Sequence, residues 1–346
     1  MAKYLKLSVL FIVCILFIAA CGKDAETTKD TTIESEGNKE PVEVEEEPVL
    51  YQYPLSGKWT EEQSNHRAIG VMINNHPAAR PQSGLLEADV VYEVLAEGGI
   101  TRFLAIYQSE MPETFGPVRS ARDYYIELAK GFDALYIAHG YSPQAKAMLD
   151  RGYIDSINGI QYDGTLFTRA NFRVAPHNSY ISYENIVKGA ENLGYSLEGA
   201  PESYSFLDEE DEVTGIDVQT ITIDYSVDSF FVRYEYDSAL EKYHRYSAGQ
   251  LTTDYDTGEE VMVDNIFVVE MEHTIIDDEG RRAIDLTSGG KALLLQKGTL
   301  QQIEWKNIDG RIVPVSSGSE VSLVPGKTWI NVVPDIEQMV DYVESE

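Results

Sequence analysis

Arg119 and Arg122, with Ser120 between them, are the residues of this chain best suited to chemistry. A guanidinium presents a rigid fork of donors that matches carboxylate or phosphate in two-point contacts. The stretch Gly116-Pro-Val-Arg-Ser-Ala-Arg122 precedes an apolar-periodic segment. The sequence therefore predicts a loop running into a helix start, capped by Ser120 or Asp123. Unpaired N–H groups and the dipole at such a start favour an anion. The plainer alternative is internal, with Asp123, Glu97, Glu93 or Asp163 pairing with these arginines and tying loops together.

Other polar residues gather in loops expected at strand ends. Asn74-Asn-His-Pro-Ala-Ala-Arg-Pro-Gln-Ser83 carries Asn75 and Arg80, His139 follows an apolar run, and His177-Asn178 closes a second proline loop. In open α/β sheets ligands lie beyond the carboxyl ends of strands. The expected ligand-binding set is Asn75, Arg80, Arg102, Arg119, Ser120, Arg122, His139, Arg169, His177 and Asn178. If the chain is an enzyme, Glu93, Glu97 and Asp163, with His139, are its acid or base candidates. A glycosidase would need two such carboxylates in an open cleft, about 5 to 9.5 Å apart.

Histidine spacing matches no metal motif, and neither GxSxG nor GxGxxG occurs. Gly326-Lys-Thr328 ends like a phosphate loop, but Val321 stands where the leading glycine belongs. No metal and no cofactor are expected. The only cysteines are Cys14 and Cys21, which leaves the expected mature fold without a disulfide or thiol nucleophile.

The elements that would position these groups read as follows. Apolar runs at 68–73, 90–95, 101–108 and 134–138 are strands, with 90–108 a hairpin turned by Gly98-Gly99. Helices run from the arginine loop to Gly131, from Ser142-Pro143 to Gly152, and from Ser182 to Gly194. Beyond Gly215 short β-like runs alternate with turns such as Ser288-Gly-Gly290 and Asp309-Gly310. The expected fold class is an α/β (or α+β) N-terminal domain, 56–200, then an acidic linker, 201–216, with little to bury. A smaller mostly-β C-terminal domain, 217–346, follows.

The N-terminus is a targeting segment. Lys3 and Lys6 precede an apolar run ending Ile18-Ala-Ala-Cys21, which resembles a lipobox. This implies a signal peptide, 1–20, and diacylation of Cys21 on the outer face of a membrane. Residues 21–55 form an acidic tether. The net charge of −31 makes nucleic acid a poor partner. Residues 65–190 hold 11 basic and 13 acidic residues, whereas 191–346 hold 10 and 33. The first block thus keeps its eight arginines, Arg80, Arg102, Arg119, Arg122 and Arg169 among them, nearly balanced by acids.

Ile73-Asn-Asn-His-Pro-Ala-Ala-Arg-Pro-Gln-Ser-Gly84, Ala88-Asp-Val-Val-Tyr-Glu93, Gly98-Gly-Ile-Thr-Arg-Phe103, Gly116-Pro-Val-Arg-Ser-Ala-Arg-Asp-Tyr-Tyr125, Ala175-Pro-His-Asn178 and Gly326-Lys-Thr-Trp-Ile-Asn-Val-Val-Pro334 resemble the YerB-like bacterial lipoproteins. The likeness runs from about residue 55 onward. It implies a two-part domain of unknown function, anchored outside the cytoplasmic membrane of Gram-positive bacteria. It assigns no catalytic residue. The leading expectation is a ligand-binding or assembly protein of the cell envelope, with an anionic small molecule, a cell-wall fragment or an envelope protein as partner. The alternatives are a cell-wall glycan or peptide hydrolase and a solute-binding lipoprotein with two similar α/β lobes.

Overall fold

The structure, a computed structural model, describes residues 49–345. The expected signal peptide, Cys21 and residues 21–48 of the expected tether lie outside the described residues. Among the described residues no helix is long and apolar enough to cross a membrane.

The apolar runs of the first half become strands Ile69–Asn74 (β1), Val90–Leu95 (β2) and Thr101–Tyr107 (β3). β2 and β3 form the hairpin, with Val90 opposite Ile106, and β3 also pairs antiparallel with β1. Helix Asp123–Lys130 (α1) follows. Its N-cap is Arg122, which makes no side-chain cap bond. The expected cap fails because the Ser120 hydroxyl bonds the His139 carbonyl instead, at 3.2 Å, and Asp123 is already in the first turn.

Strand Leu135–Ala138 (β4) lies parallel to β1. Helix Pro143–Asp150 (α2) is capped by Ser142, whose Oγ accepts from Ala145 N at 3.2 Å. Strand Ser156–Asn158 (β5) lies parallel to β4. Strand Ser179–Ser182 (β6) leads into helix Tyr183–Leu193 (α3), capped by Ser182 and closed by Gly194 in the left-handed region.

The second half supplies Ile216–Ile223 (β7), Val232–Asp237 (β8), Lys242–Ser247 (β9), Asn265–Glu270 (β10), Gly290–Gln296 (β11), Thr299–Ile308 (β12) and Thr328–Val333 (β13). These join the first half in one sheet, ordered β9-β8-β7-β12-β11-β10-β13-β2-β3-β1-β4-β5. The junction is a parallel ladder between β13 and β2, from Thr328 opposite Val90 to Val332 opposite Val94. Two parts of the sequence thus share one compact unit, 48–346, without the two similar lobes a solute-binding reading needs. Strands dominate both parts, so the first is α/β only in the loose sense that helices alternate with strands.

The sheet is covered on both faces. Val71, Ile73, Val91, Phe103, Tyr234 and Trp329 belong to one core cluster. Met72, Val90, Tyr92 and the α1 residues Tyr125, Ile126 and Ala129 belong to the other. Two-sided burial is why the strands read as continuous apolar runs. Arg245 of β9 bonds Glu93 of β2 although six strands separate them, so that end of the sheet curls back over β2, β3 and β13. The acidic segment 201–215 is largely irregular, yet it buries Tyr204 against Phe132 and Arg311.

Candidate functional site

β1, β4 and β5 are parallel, and their carboxyl ends carry Asn74-Asn75-His76, His139-Gly140 and Asn158-Gly159. The arginine loop crosses above them, with Asn74 N bonded to Pro117 O and His139 N to Arg119 O, both between 2.8 and 2.9 Å. The 170–179 loop closes the far side through Val118 N to Ser179 O at 2.7 Å. Arg119, His139, Arg169, His177 and Asn178 therefore meet on one shelf, while Asn75 and Arg80 face a neighbouring cavity.

Arg102 and Arg122 are not available to a ligand. Glu97 accepts from Arg102 Nη2 at 2.8 Å and from Arg122 Nε at 2.6 Å. Burial alone would raise the Glu97 carboxyl. The two guanidiniums outweigh it and hold the group below its usual range. The anion expected at this helix start is the chain's own.

His139 is fully engaged. Arg169 Nη2 donates to its Nε2 at 2.9 Å, so Nδ1 carries the proton and donates to Ser179 Oγ at 2.6 Å. Burial, then Arg169, lowers its pKa and keeps the ring neutral. Arg169 also binds Asp163, at 2.9 Å, and Asn178 Oδ1, at 3.3 Å. Gly159 lies beneath this ring, and a Cβ there would stand 2.2 Å from His139 Nδ1. Gly159→Ala is expected to cost about 1–3 kcal/mol in denaturant melts, as overpacking does.

Arg119 differs from these. It is half-buried and, among the described residues, has no acidic partner and makes one weak side-chain bond, Nη1 to Pro176 O at 3.5 Å. Burial, then repulsion from Arg102 and Arg122, lowers its pKa to about 10, so it remains a cation at neutral pH. Beside it His76 and His177 stack with centroids 4.3 Å apart. Asn74 Oδ1 accepts from His76 N at 3.0 Å, which fixes the amide so that its Nδ2 donates to His177 Nδ1 at 2.8 Å. His76 Nδ1 accepts from Ala78 N at 3.1 Å. Both rings are held neutral, first by burial and then by neighbouring positive or histidine groups, so each carries its proton on Nε2. His76 was in the loop singled out by sequence but outside the candidate set. Its stacking partner lies 101 positions away, beyond any spacing pattern.

The three acid/base candidates each hold an arginine. Glu97 holds Arg102 and Arg122, and Asp163 holds Arg169. Glu93 has no exposure, and its Oε2 accepts from Arg245 Nη2 at 2.6 Å and Trp329 Nε1 at 3.3 Å. Its Oε1 accepts from Thr101 Oγ1 at 2.8 Å and Asn75 Nδ2 at 3.1 Å. None lies free in an open cleft. Among the described residues no group of three or more His, Cys, Asp or Glu side chains is arranged to hold a metal.

This chain, with its first half joined to a β-rich second half, has relatives among known proteins. Residues 55–196 match the family described as Protein of unknown function (DUF3048) N-terminal domain, and residues 221–330 match its C-terminal domain. The chain is 50% identical over 287 residues to "Putative lipoprotein YerB" of Bacillus subtilis (strain 168), covering 82% of this chain and 86% of that protein. The crystal structure of the Bacillus subtilis YerB protein is similar at a TM-score of 0.80 and 49% identity, covering 85% of this chain and 99% of that one. The chain belongs to the YerB-like family of two-part DUF3048 proteins.

Proposed function

We propose that the protein is a lipid-anchored binding protein of the cell envelope that holds an anionic ligand on the Arg119 shelf. The carrying observation is Arg119 itself, a half-buried cation without an acidic partner among the described residues, beside two imidazoles with Nε2–H groups. A site of this kind binds and orients an anion but offers no free carboxylate for acid–base work. The lipobox-like Ile18-Ala-Ala-Cys21 and the name of the Bacillus subtilis relative support anchoring through Cys21.

Calorimetric titration with phospho-sugars, nucleotides and anionic cell-wall fragments tests this. Arg119→Ala is expected to weaken the ligand that binds by about 10- to 100-fold, the loss of a charged hydrogen bond. Its melting temperature should barely change, because Arg119 makes so little contact with the fold. A ligand whose affinity survives Arg119→Ala overturns the assignment.

A further inference from the structure

The cavity beside the shelf, of about 410 Å³, opens at the seam between the two family halves. Asn75, Arg80 and Gln82 line it from the first half, and Arg245, Ser247 and Thr252 from the second. Its size is at the low end of the range for small-molecule sites.

Most of its polar groups are already committed. Asn75 Oδ1 accepts from Arg80 Nε at 3.0 Å and from Gln82 Nε2 at 3.3 Å. Thr252 Oγ1 accepts from Arg245 Nη1 at 2.8 Å. Three donors are left over among the described residues. Arg80 Nη2, Arg245 Nε and Ser247 Oγ are all buried, and none has a hydrogen-bond partner there. Ser247 is 5% exposed and shares the inward face of β9 with Arg245, two residues before it. Orphaned buried donors of this kind are rare in native folds and carry a cost unless something fills them.

Charge decides what fills them. The cavity has two guanidiniums, and Glu93 neutralises one, Arg245, at 2.6 Å. Among the described residues Arg80 has no carboxylate in an ion pair with it, and burial followed by repulsion from Arg245, against the weaker pull of Glu93, lowers its pKa to about 10. One positive charge remains. A single negative charge closes the balance, whereas a dianion would leave a buried negative charge uncompensated. Arg80 Nη2 and Ser247 Oγ, one from each half of the lining, offer one donor to each oxygen of a carboxylate. Pro77, Pro81 and Leu251 give apolar walls for a small body attached to it.

We infer that the seam cavity is a binding site for a small monocarboxylate, separate from the Arg119 shelf and requiring both halves of the family fold. A carboxylate there bridges Arg80 to Ser247, and so ties the 75–82 loop to the β9 hairpin.

The test is thermal melting of the full chain in detergent micelles with acetate, propionate, benzoate and N-acetylalanine. N-acetylalanine amide and inorganic phosphate serve as controls. At a hundredfold excess over its Kd a bound carboxylate raises the melting temperature by about 5 °C. The amide and phosphate are expected to give no comparable shift. Arg80→Ala and Ser247→Ala should each abolish the carboxylate shift. Ser247→Ala removes only an unpartnered hydroxyl, so its ligand-free melting point should match the parent's. Arg119→Ala should leave the shift intact. The inference is overturned if no carboxylate shifts the melt, if phosphate matches the carboxylates, or if the shift survives Ser247→Ala. It is equally overturned if Arg119→Ala alone removes the shift, which would place the carboxylate on the shelf.

Discussion

Arg245→Ala is expected to lower the stability of the fold by about 3–5 kcal/mol, the cost of leaving one partner of a buried ion pair alone. Glu93 projects from β2 onto the apolar face shared with Val91 and Leu95, where it has no access to water. Its hydrogen bonds from Thr101, Asn75 and Trp329 are neutral, and among the described residues Arg245 is the cation in direct contact with it. The guanidinium also lies 4.3 Å from the Trp329 ring and 5.3 Å from that of Phe103, so truncation loses packing as well as charge. Denaturant melts of the full chain measure the effect. Replacing both partners, Glu93→Leu with Arg245→Met, removes both charges and is expected to recover most of the loss. A cost below about 1 kcal/mol for Arg245→Ala, or no recovery in the double variant, would sink the claim that this pair pins the curled sheet to β2.

The same pair marks the boundary of what the sequence could tell. Strands β1 to β4 were legible because two-sided burial leaves uninterrupted apolar runs, and α2 and α3 because Ser142-Pro143 and Ser182 sit where caps must. The shelf was partly legible too. Strand-end loops at 74–83 and 139 are where parallel strands deliver ligand groups, and Arg119, His139, His177 and Asn178 do converge there. What sequence could not supply was the partner of each charge. Glu97 lies near Arg102 in sequence but is also claimed by Arg122, which removes two candidate arginines from the site at once. Arg245 stands 152 residues from Glu93, in an alternating strand with no apolar run to announce it. A signal was nonetheless present. A glutamate inside Val-Val-Tyr-Glu-Val-Leu must either face solvent or meet a buried cation, and a two-sided strand permits only the second. The sharing of one sheet was hidden for a similar reason, since β13 and β2 pair across 238 positions and parallel pairing needs no local turn.

Stability is expected to fall as pH drops from about 6.5 towards 4, and His273 is expected to carry much of that fall. Its Nδ1 lies 2.8 Å from the Met271 carbonyl, to which it must donate, so Nε2 holds the lone pair. That Nε2 is buried without a partner among the described residues. Protonation would place an unpaired N–H and a charge in the same spot. Burial accordingly lowers the pKa from 6.5 to about 4, with Arg282 adding to the effect. The unfolded chain takes up this proton below pH 6.5, and the folded chain does not until about pH 4. The loss across that window is at most about 3 kcal/mol, less whatever solvent screens the half-buried ring. His76, His139 and His177, also lowered, act with the same sign. His244 has the opposite sign, because Glu260 at 2.5 Å and Asp237 at 3.4 Å raise it. Its contribution is complete below 6.5 and is lost as pH rises through the folded value, so it does not mask the acid limb. His273→Asn keeps a donor for the Met271 carbonyl and removes the titration. Denaturant melts between pH 7 and 4.5 should show a clearly shallower slope for this variant than for the parent. Identical slopes would mean that the Nε2 proton is accommodated in the fold, and the acid sensitivity would then belong to the histidines of the shelf.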